Sequence, residues 1–179
     1  MDTQSHIRSS LQRACETFDR RPSAARQEDS PAIAVWIGGL GTRLLHPSPT
    51  LELSTDLPVV LGGGGSHPSP GWYFRAGVAS CMATSIAMEA AQQGVALTRL
   101  QVEAHSESDV RGLLGTAGVS SGPLRCWLKV ALHSTEASET ALRALVVSAD
   151  RRSPMAQALR HEVAVDLEVT VQLQSVPGA

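Results

Sequence analysis

The chain has 179 residues, with 15 Lys+Arg against 17 Asp+Glu, a net charge of −2, 42% hydrophobic and 18% charged residues. That is enough chain for one compact domain, or one domain with a tail, around a core that needs no metal or disulfide staple. The near-neutral balance excludes a broad electrostatic grip on nucleic acid or anionic lipid.

The longest charge-free run, Leu57 to Phe74, is broken by glycines and prolines and is no membrane helix. Met1-Asp2-Thr3-Gln4 lacks a secretory start. The three cysteines, Cys15, Cys81 and Cys126, form no Cys-x-x-Cys pair, which fits a reducing compartment. A soluble cytoplasmic protein is expected.

Ser5 to Arg21 carries Ile7, Leu11, Ala14 and Phe18 at helical spacing, which predicts an amphipathic helix packed on another surface, such as that of a partner subunit. Pro22 ends it, and Ser23 to Pro31 reads as a polar linker, so residues 1–30 are expected to stand apart from a single domain over 31–179. Ala32 to Ile37 is a short apolar run, Gly38-Gly39-Leu40-Gly41 a turn, and Leu51 and Leu53 alternate with polar residues, together an antiparallel meander. Gly62 to Gly65 is a glycine loop.

Ser69-Pro70 opens a long helix that should run to Gln93 and stop at Gly94, because proline is tolerated at the first helical position and glycine favoured just past the last. Between Ala76 and Met88 this helix has no charge and many small residues, which predicts burial at the centre of the fold and a second helix crossing it. Leu100 to Ala104 and Leu124 to Leu132 alternate as strands. Thr135 to Asp150 reads as a helix, Ser153-Pro154 as an N-cap and first position of another, and Val163 to Leu173 as a strand of strict period two. The fold class is α+β.

For chemistry, Cys81 stands mid-helix, where nothing local activates a thiol, and its default reading is a small buried hydrophobe. Cys126 falls on the apolar face of its strand and is expected in the core, while Cys15 is incidental. No Cys or His spacing makes a metal site, the glycine loop lacks the Lys-Ser/Thr of a phosphate cradle, and no cofactor is implied. His67, Ser69 and Arg75 near the start of the long helix could serve another chemistry, although Ser/Pro turn formation accounts for them. Asp109 and Arg111 read as a turn ion pair.

The order of motifs carries more. A glycine loop leads through Pro70 to Ala79-Ser80-Cys81-Met82-Ala83-Thr84. Gly94-Val95-Ala96-Leu97, then Ser108 to Gly115, then Ser153-Pro154-Met155-Ala156-Gln157-Ala158-Leu159-Arg160 follow. This series resembles the OsmC/Ohr family, the osmotically inducible and organic hydroperoxide resistance proteins, over about residues 32–173. The resemblance implies antiparallel sheets around long central helices in an intertwined homodimer. It also implies a peroxidatic cysteine at Cys81, oxidised by an organic hydroperoxide to sulfenic acid, resolved by a second cysteine and recycled by a dithiol reductant. The matching positions depart from the family at three points. Ser153 stands where the second cysteine precedes proline, Gly71 where a Glu follows the helix-opening proline, and Leu40 where an Arg follows Gly-Gly; Arg43 and Arg75 are the nearest substitute cations.

Two functions from different classes follow. One is a one-cysteine peroxidase or redox sensor through Cys81, rescued by an external thiol. The other is a catalytically degenerate dimer holding a small apolar molecule in a pocket lined by Trp72, Phe74 and Met82.

Overall fold

The structure, a computed structural model, describes residues 3–26, 29, 31–45, 53–161 and 163–171. Helix α1 spans Thr3–Arg20 and a 3-10 turn Pro22–Ala25 follows it. Strands β1 (Ile33–Gly38), β2 (Gly41–Leu45) and β3 (Leu53–Thr55) form an antiparallel sheet in sequence order, with Trp36 opposite Thr42 and Arg43 opposite Ser54. The meander expected from alternation is therefore present, with Leu51 lying outside the described residues. Gly38 and Gly39 take φ of 108° and 54° at its turn, a region open to glycine without Cβ strain.

The loop from Asp56 to Ser69 is tightly folded. Asp56 N–H donates to the Pro68 carbonyl at 3.2 Å, and a Cβ on Gly63 would come within 2.0 Å of the Leu57 carbonyl oxygen, so only glycine fits there.

Helix α2 spans Pro70–Gln93 as the capping signals predict. Ser69 Oγ accepts from Trp72 N–H at 3.2 Å, and Gly94 closes the other end at φ 72°. One face of α2 forms the core: Met82, Ile86 and Ala90 pack with Leu145 and Ala149 of α4 (Glu139–Arg152), backed by Val102, Leu128 and Val130. Ile86, Leu145 and Ala149 are fully buried. Beside them Glu89, also buried, pairs with Arg152 and accepts from Gln93 Nε2 at 2.6 Å, which answers its charge.

Against this layer lies an antiparallel pair, β4 (Arg99–Ser108) and β5 (Pro123–His133), in register from Arg99 opposite His133 to Glu107 opposite Arg125. The short helix α3 (Val110–Leu113) is capped by Asp109. Its carboxylate accepts from Arg111 N–H at 3.0 Å and from the Arg111 side chain, the turn ion pair expected from sequence. Helix α5 (Pro154–Arg160) packs on α2 and α4.

Several expectations need correction. Helix α4 begins at Glu139 rather than Thr135, because Ser138 Oγ takes the Ala141 N–H at 3.2 Å while Ser134 Oγ holds the preceding turn. The stretch from Val163 is not a strand over the described residues 163–171. Val165 is 89% and Leu167 87% exposed, and Leu173 lies outside the described residues. Alternation supplies a strand with a face, but a ladder also needs an edge to pair with, and this stretch pairs with none of the described strands.

Helix α2 is buried on one side only: Ser80, Thr84, Ala87 and Met88 are exposed, and a Cβ on Gly77 would meet nothing within 4 Å. The three-stranded sheet packs only sparsely on the helices. Helix α1 docks on α2 of its own chain, through Arg8 Nε donating to the Ala91 carbonyl at 2.8 Å and Gln4 to Val95. A cation there meets the negative end of the α2 dipole. Its second half, with Cys15 and Phe18, remains exposed.

Candidate functional site

Cys81 lies in the fourth turn of α2, on the side facing the start of α5, and is half-buried. Its Sγ lies 3.5 Å from Ser153 Oγ, across 72 residues of sequence. Ser153 is fully buried. Ser153 occupies the N-cap of α5, as its place before Pro154 predicts. Its hydroxyl, however, makes no capping hydrogen bond and turns to the thiol instead. The α5 backbone starts without it, from the Gln157 N–H to Ser153 carbonyl bond at 2.9 Å.

The first turns of α2, the length of α5 and one end of the β4–β5 pair enclose a cleft of about 290 Å³. Phe74, Val78, Ala156, Leu159, Leu124 and Leu128 make its apolar lining, and Arg75 and Cys126 also border it. Val78 precedes Cys81 by one helical turn and Ala156 follows Ser153 by one. The thiol–hydroxyl contact therefore sits just past the inner end of this cleft. Cys126 is exposed in it rather than placed in the core, a correction to the expected burial. The helices cover β5 from Leu128 onward and leave its first residues uncovered, so alternation identified the right face but not how far the core reaches along it.

The other sequence candidates fall in different places. Met82 is 2% exposed and belongs to the core cluster. Trp72 borders a second cleft with Asp56, His67, Ser69 and Arg75, so Trp72 and Phe74 line separate clefts that share only Arg75. His67, Ser69 and Arg75 do meet around that second cleft, but Ser69 Oγ serves as the α2 cap. Leu40 borders a third recess with Asp56, Gly62, Gly64 and His67, and Gly71 is exposed in the first turn of α2. Arg43 is exposed on β2, in the sheet that barely touches the helices. Among the described residues no group of three or more His, Cys, Asp or Glu could hold a metal ion. No helix there is long and apolar enough to cross a membrane.

Asp56, which sequence reasoning passed over, organises this end of the molecule. Its buried carboxylate accepts from Ser66 N–H at 3.2 Å, from Leu57 N–H at 2.8 Å and from Ser66 Oγ at 3.0 Å. The Ser66 N–H, followed by these others, holds the carboxyl below the usual carboxylate range and outweighs its burial. A depressed native pKa stabilises the fold above the ordinary value near 3.9 and ceases to do so as pH falls through the native value. The urea midpoint of the wild type should therefore exceed that of Asp56→Ala at neutral pH. The gap should close on acidification below about pH 4; a gap independent of pH would contradict this role.

The chain matches the family model described as OsmC-like protein over residues 63–168. Among solved structures it is similar to an organic hydroperoxide resistance protein OsmC from Legionella pneumophila, at 26% identity and TM-score 0.57, covering 81% of this chain and 100% of that one. It also shares its fold with an OsmC-like protein from Mycoplasma pneumoniae (17% identity, TM-score 0.61, covering 76% and 91%). The same holds for OhrB of Bacillus subtilis, an organic hydroperoxide resistance protein (18% identity, TM-score 0.52, covering 79% and 98%). No curated protein matches the sequence.

Proposed function

The chain belongs to the OsmC-like family, and from that premise we propose that it is a one-cysteine, thiol-dependent hydroperoxide reductase or redox sensor acting through Cys81. The observation that carries the reading is the contact between Cys81 Sγ and Ser153 Oγ, 3.5 Å apart and one helical turn from the cleft residues Val78 and Ala156. A hydroxyl in that place can hydrogen-bond to the sulfur, but it cannot form a disulfide.

The thiolate sulfur bonds to the terminal oxygen of the hydroperoxide while the O–O bond breaks. The peroxide is reduced to an alkoxide, which takes a proton and leaves as alcohol. Cys81 is oxidised to sulfenic acid. One external thiol condenses with it, releasing water, and a second frees Cys81 by disulfide exchange.

The working unit in this proposal is a homodimer. A compact chain of this length exposes about 8,300 Å², whereas this one exposes 13,628 Å². The uncovered small-residue face of α2 admits close approach of a second helix, and the unpaired alternating stretch 163–171 suits a second copy's sheet edge. The loosely attached three-stranded sheet, with Arg43, would then have a partner layer to pack on.

The experiment is intact-mass analysis after graded cumene hydroperoxide, with Cys81→Ser and Cys126→Ser controls, the latter because Cys126 is exposed. Rapid sulfenate that requires Cys81 and is reversed by added thiol is the expected result. Slow oxidation spread over all three cysteines would overturn it. The cleft then supports the second reading, a dimeric protein that binds a small apolar molecule without turnover.

A further inference from the structure

We propose that Glu89 is a positioning residue for Cys81: through Arg152 it fixes the joint between α4 and α5 on α2, and so holds the Ser153 hydroxyl against the sulfur. The positional claim stands independently, and its consequence for turnover rests on the thiol chemistry proposed above.

Ser153 ends α4 and begins α5, so the chain turns from one helix into the next at this single residue. Its hydroxyl serves neither helix end, and a hydroxyl–thiol contact is a weak tie between helices. Bonds inside the joint fold α5 back on α4. Ser153 N–H donates to the Asp150 carbonyl at 3.4 Å, Gln157 Nε2 to the same carbonyl at 3.3 Å, and Arg160 Nη2 to the Asp150 carboxylate at 2.9 Å. None of these reaches α2, the helix that carries Cys81.

Arg152 does reach it. Its guanidinium pairs with the Glu89 carboxylate, and Nη1 donates to Gln92 Oε1 at 3.1 Å. The other Glu89 oxygen accepts from Gln93 Nε2 at 2.6 Å, which orients the carboxylate towards Arg152. Consecutive residues of the joint therefore grip α2 at two points, Glu89 and Cys81, about 12 Å apart along the helix axis. One contact alone would let the joint swivel about it. A second contact that far away removes the swivel, and the forked guanidinium gives it a direction as well as an attraction.

Glu89 is 5% exposed beside the apolar core, a place where an apolar side chain of similar volume would generally serve stability as well or better. Arg152 keeps about half its side chain in solvent, so it can turn to water when its partner is removed. Glu89→Leu should therefore leave the chain folded while releasing the joint, which separates position from stability.

The position is read from Ser153→Cys protein that also carries Cys15→Ser and Cys126→Ser, equilibrated in glutathione buffers. The fraction of internal disulfide gives the effective concentration of the two thiols. Adding Glu89→Leu should lower that concentration at least about tenfold, and Glu89→Gln, which keeps the hydrogen-bonding shape without the charge, should lower it less. Val146→Ala, which loosens the packing of α4 on the core away from the joint, should leave it within about twofold. The consequence is read with Ser153 in place: Glu89→Leu should slow Cys81 oxidation by cumene hydroperoxide at least about threefold, yet change nothing in Ser153→Ala protein, where no hydroxyl is left to position.

An effective concentration unmoved by Glu89→Leu, or lowered equally by Val146→Ala, overturns the inference whether or not Cys81 is reactive. So does a Ser153→Cys protein that forms no internal disulfide, because the contact would then not be held at all. A reactive Cys81 that Glu89→Leu fails to slow, or slows equally in Ser153→Ala protein, overturns it too. The tenfold loss found together with a Cys81 inert to peroxide in every variant would uphold the positioning role and sink the peroxidase reading. Circular dichroism and the graded effect of Glu89→Gln separate release of the joint from loss of folding.

Discussion

A Ser153→Cys variant will close an intramolecular disulfide to Cys81 on treatment with an organic hydroperoxide, where the wild type forms none. The two heteroatoms already stand 3.5 Å apart on adjacent helices, and a disulfide needs its sulfurs about 2.05 Å apart with Cβ atoms about 3.8 Å apart. The substitution exchanges an oxygen for a sulfur at a fully buried position, a modest volume change. Three readouts follow. Non-reducing peptide mapping should show a link between Cys81 and the introduced thiol after peroxide, and its reversal by a dithiol. Oxidised variant should also unfold at higher temperature than reduced variant, because a crosslink across 72 residues removes chain entropy worth about 4 kcal/mol. Turnover with a dithiol should rise well above wild type, since resolution then competes with overoxidation of the sulfenate. Independent oxidation of the two cysteines to sulfinic acids, with no crosslink, would show that the contact does not persist in solution.

What the sequence conveyed about this site, and what it withheld, divides along physical lines. The limits of α2 were legible because they are set locally: Ser69 caps it, Pro70 opens it and Gly94 takes the left-handed turn that ends it. The β1–β2 hairpin was legible because alternation and a turn suffice for one, and β4 and β5 were legible as strands by alternation, though not their pairing across the connection that holds α3. Residues governed by what lies across the chain were not. Ser153 has the residue type and position of a cap, yet its hydroxyl is drawn to Cys81, a partner invisible to local spacing. Cys126 has the right parity for burial but lies past the end of the covering helices. The 163–171 stretch has the strongest alternation in the chain and no described strand to pair with in it. Asp56 gave no signal because the donors it gathers belong to a loop whose path depends on glycines such as Gly63. Arg75 was legible as a substitute cation and as a neighbour of His67 and Ser69, but its place between two clefts, with Nη1 donating to Ser106 Oγ, depends on a strand distant in sequence.

Leu145→Ala should be the most damaging single truncation, and comparing it with Leu167→Ala distinguishes two sources of stability. Leu145 is fully buried between Ile86, Met82 and Ala149 at the joint of α2 and α4. Removing its outer carbons loses transfer free energy and leaves a cavity that two rigid helices cannot close, a cost of about 2–5 kcal/mol. Against a total stability of about 5–15 kcal/mol, that is enough to shift the urea midpoint far down with the slope unchanged. The loss should not depend on protein concentration, because the cavity lies within one chain. Leu167 is 87% exposed, so within one chain its truncation should change stability by less than about 0.5 kcal/mol. If the 163–171 stretch pairs with a second copy, that residue is buried there and the outcome changes: Leu167→Ala lowers the midpoint, and by more at low protein concentration, because subunit association is linked to folding by mass action. A concentration-independent, near-zero effect at Leu167 would leave the single chain as the folding unit. A wild-type midpoint that rises with concentration, together with a Leu167→Ala loss, would place the missing strand edge on the partner.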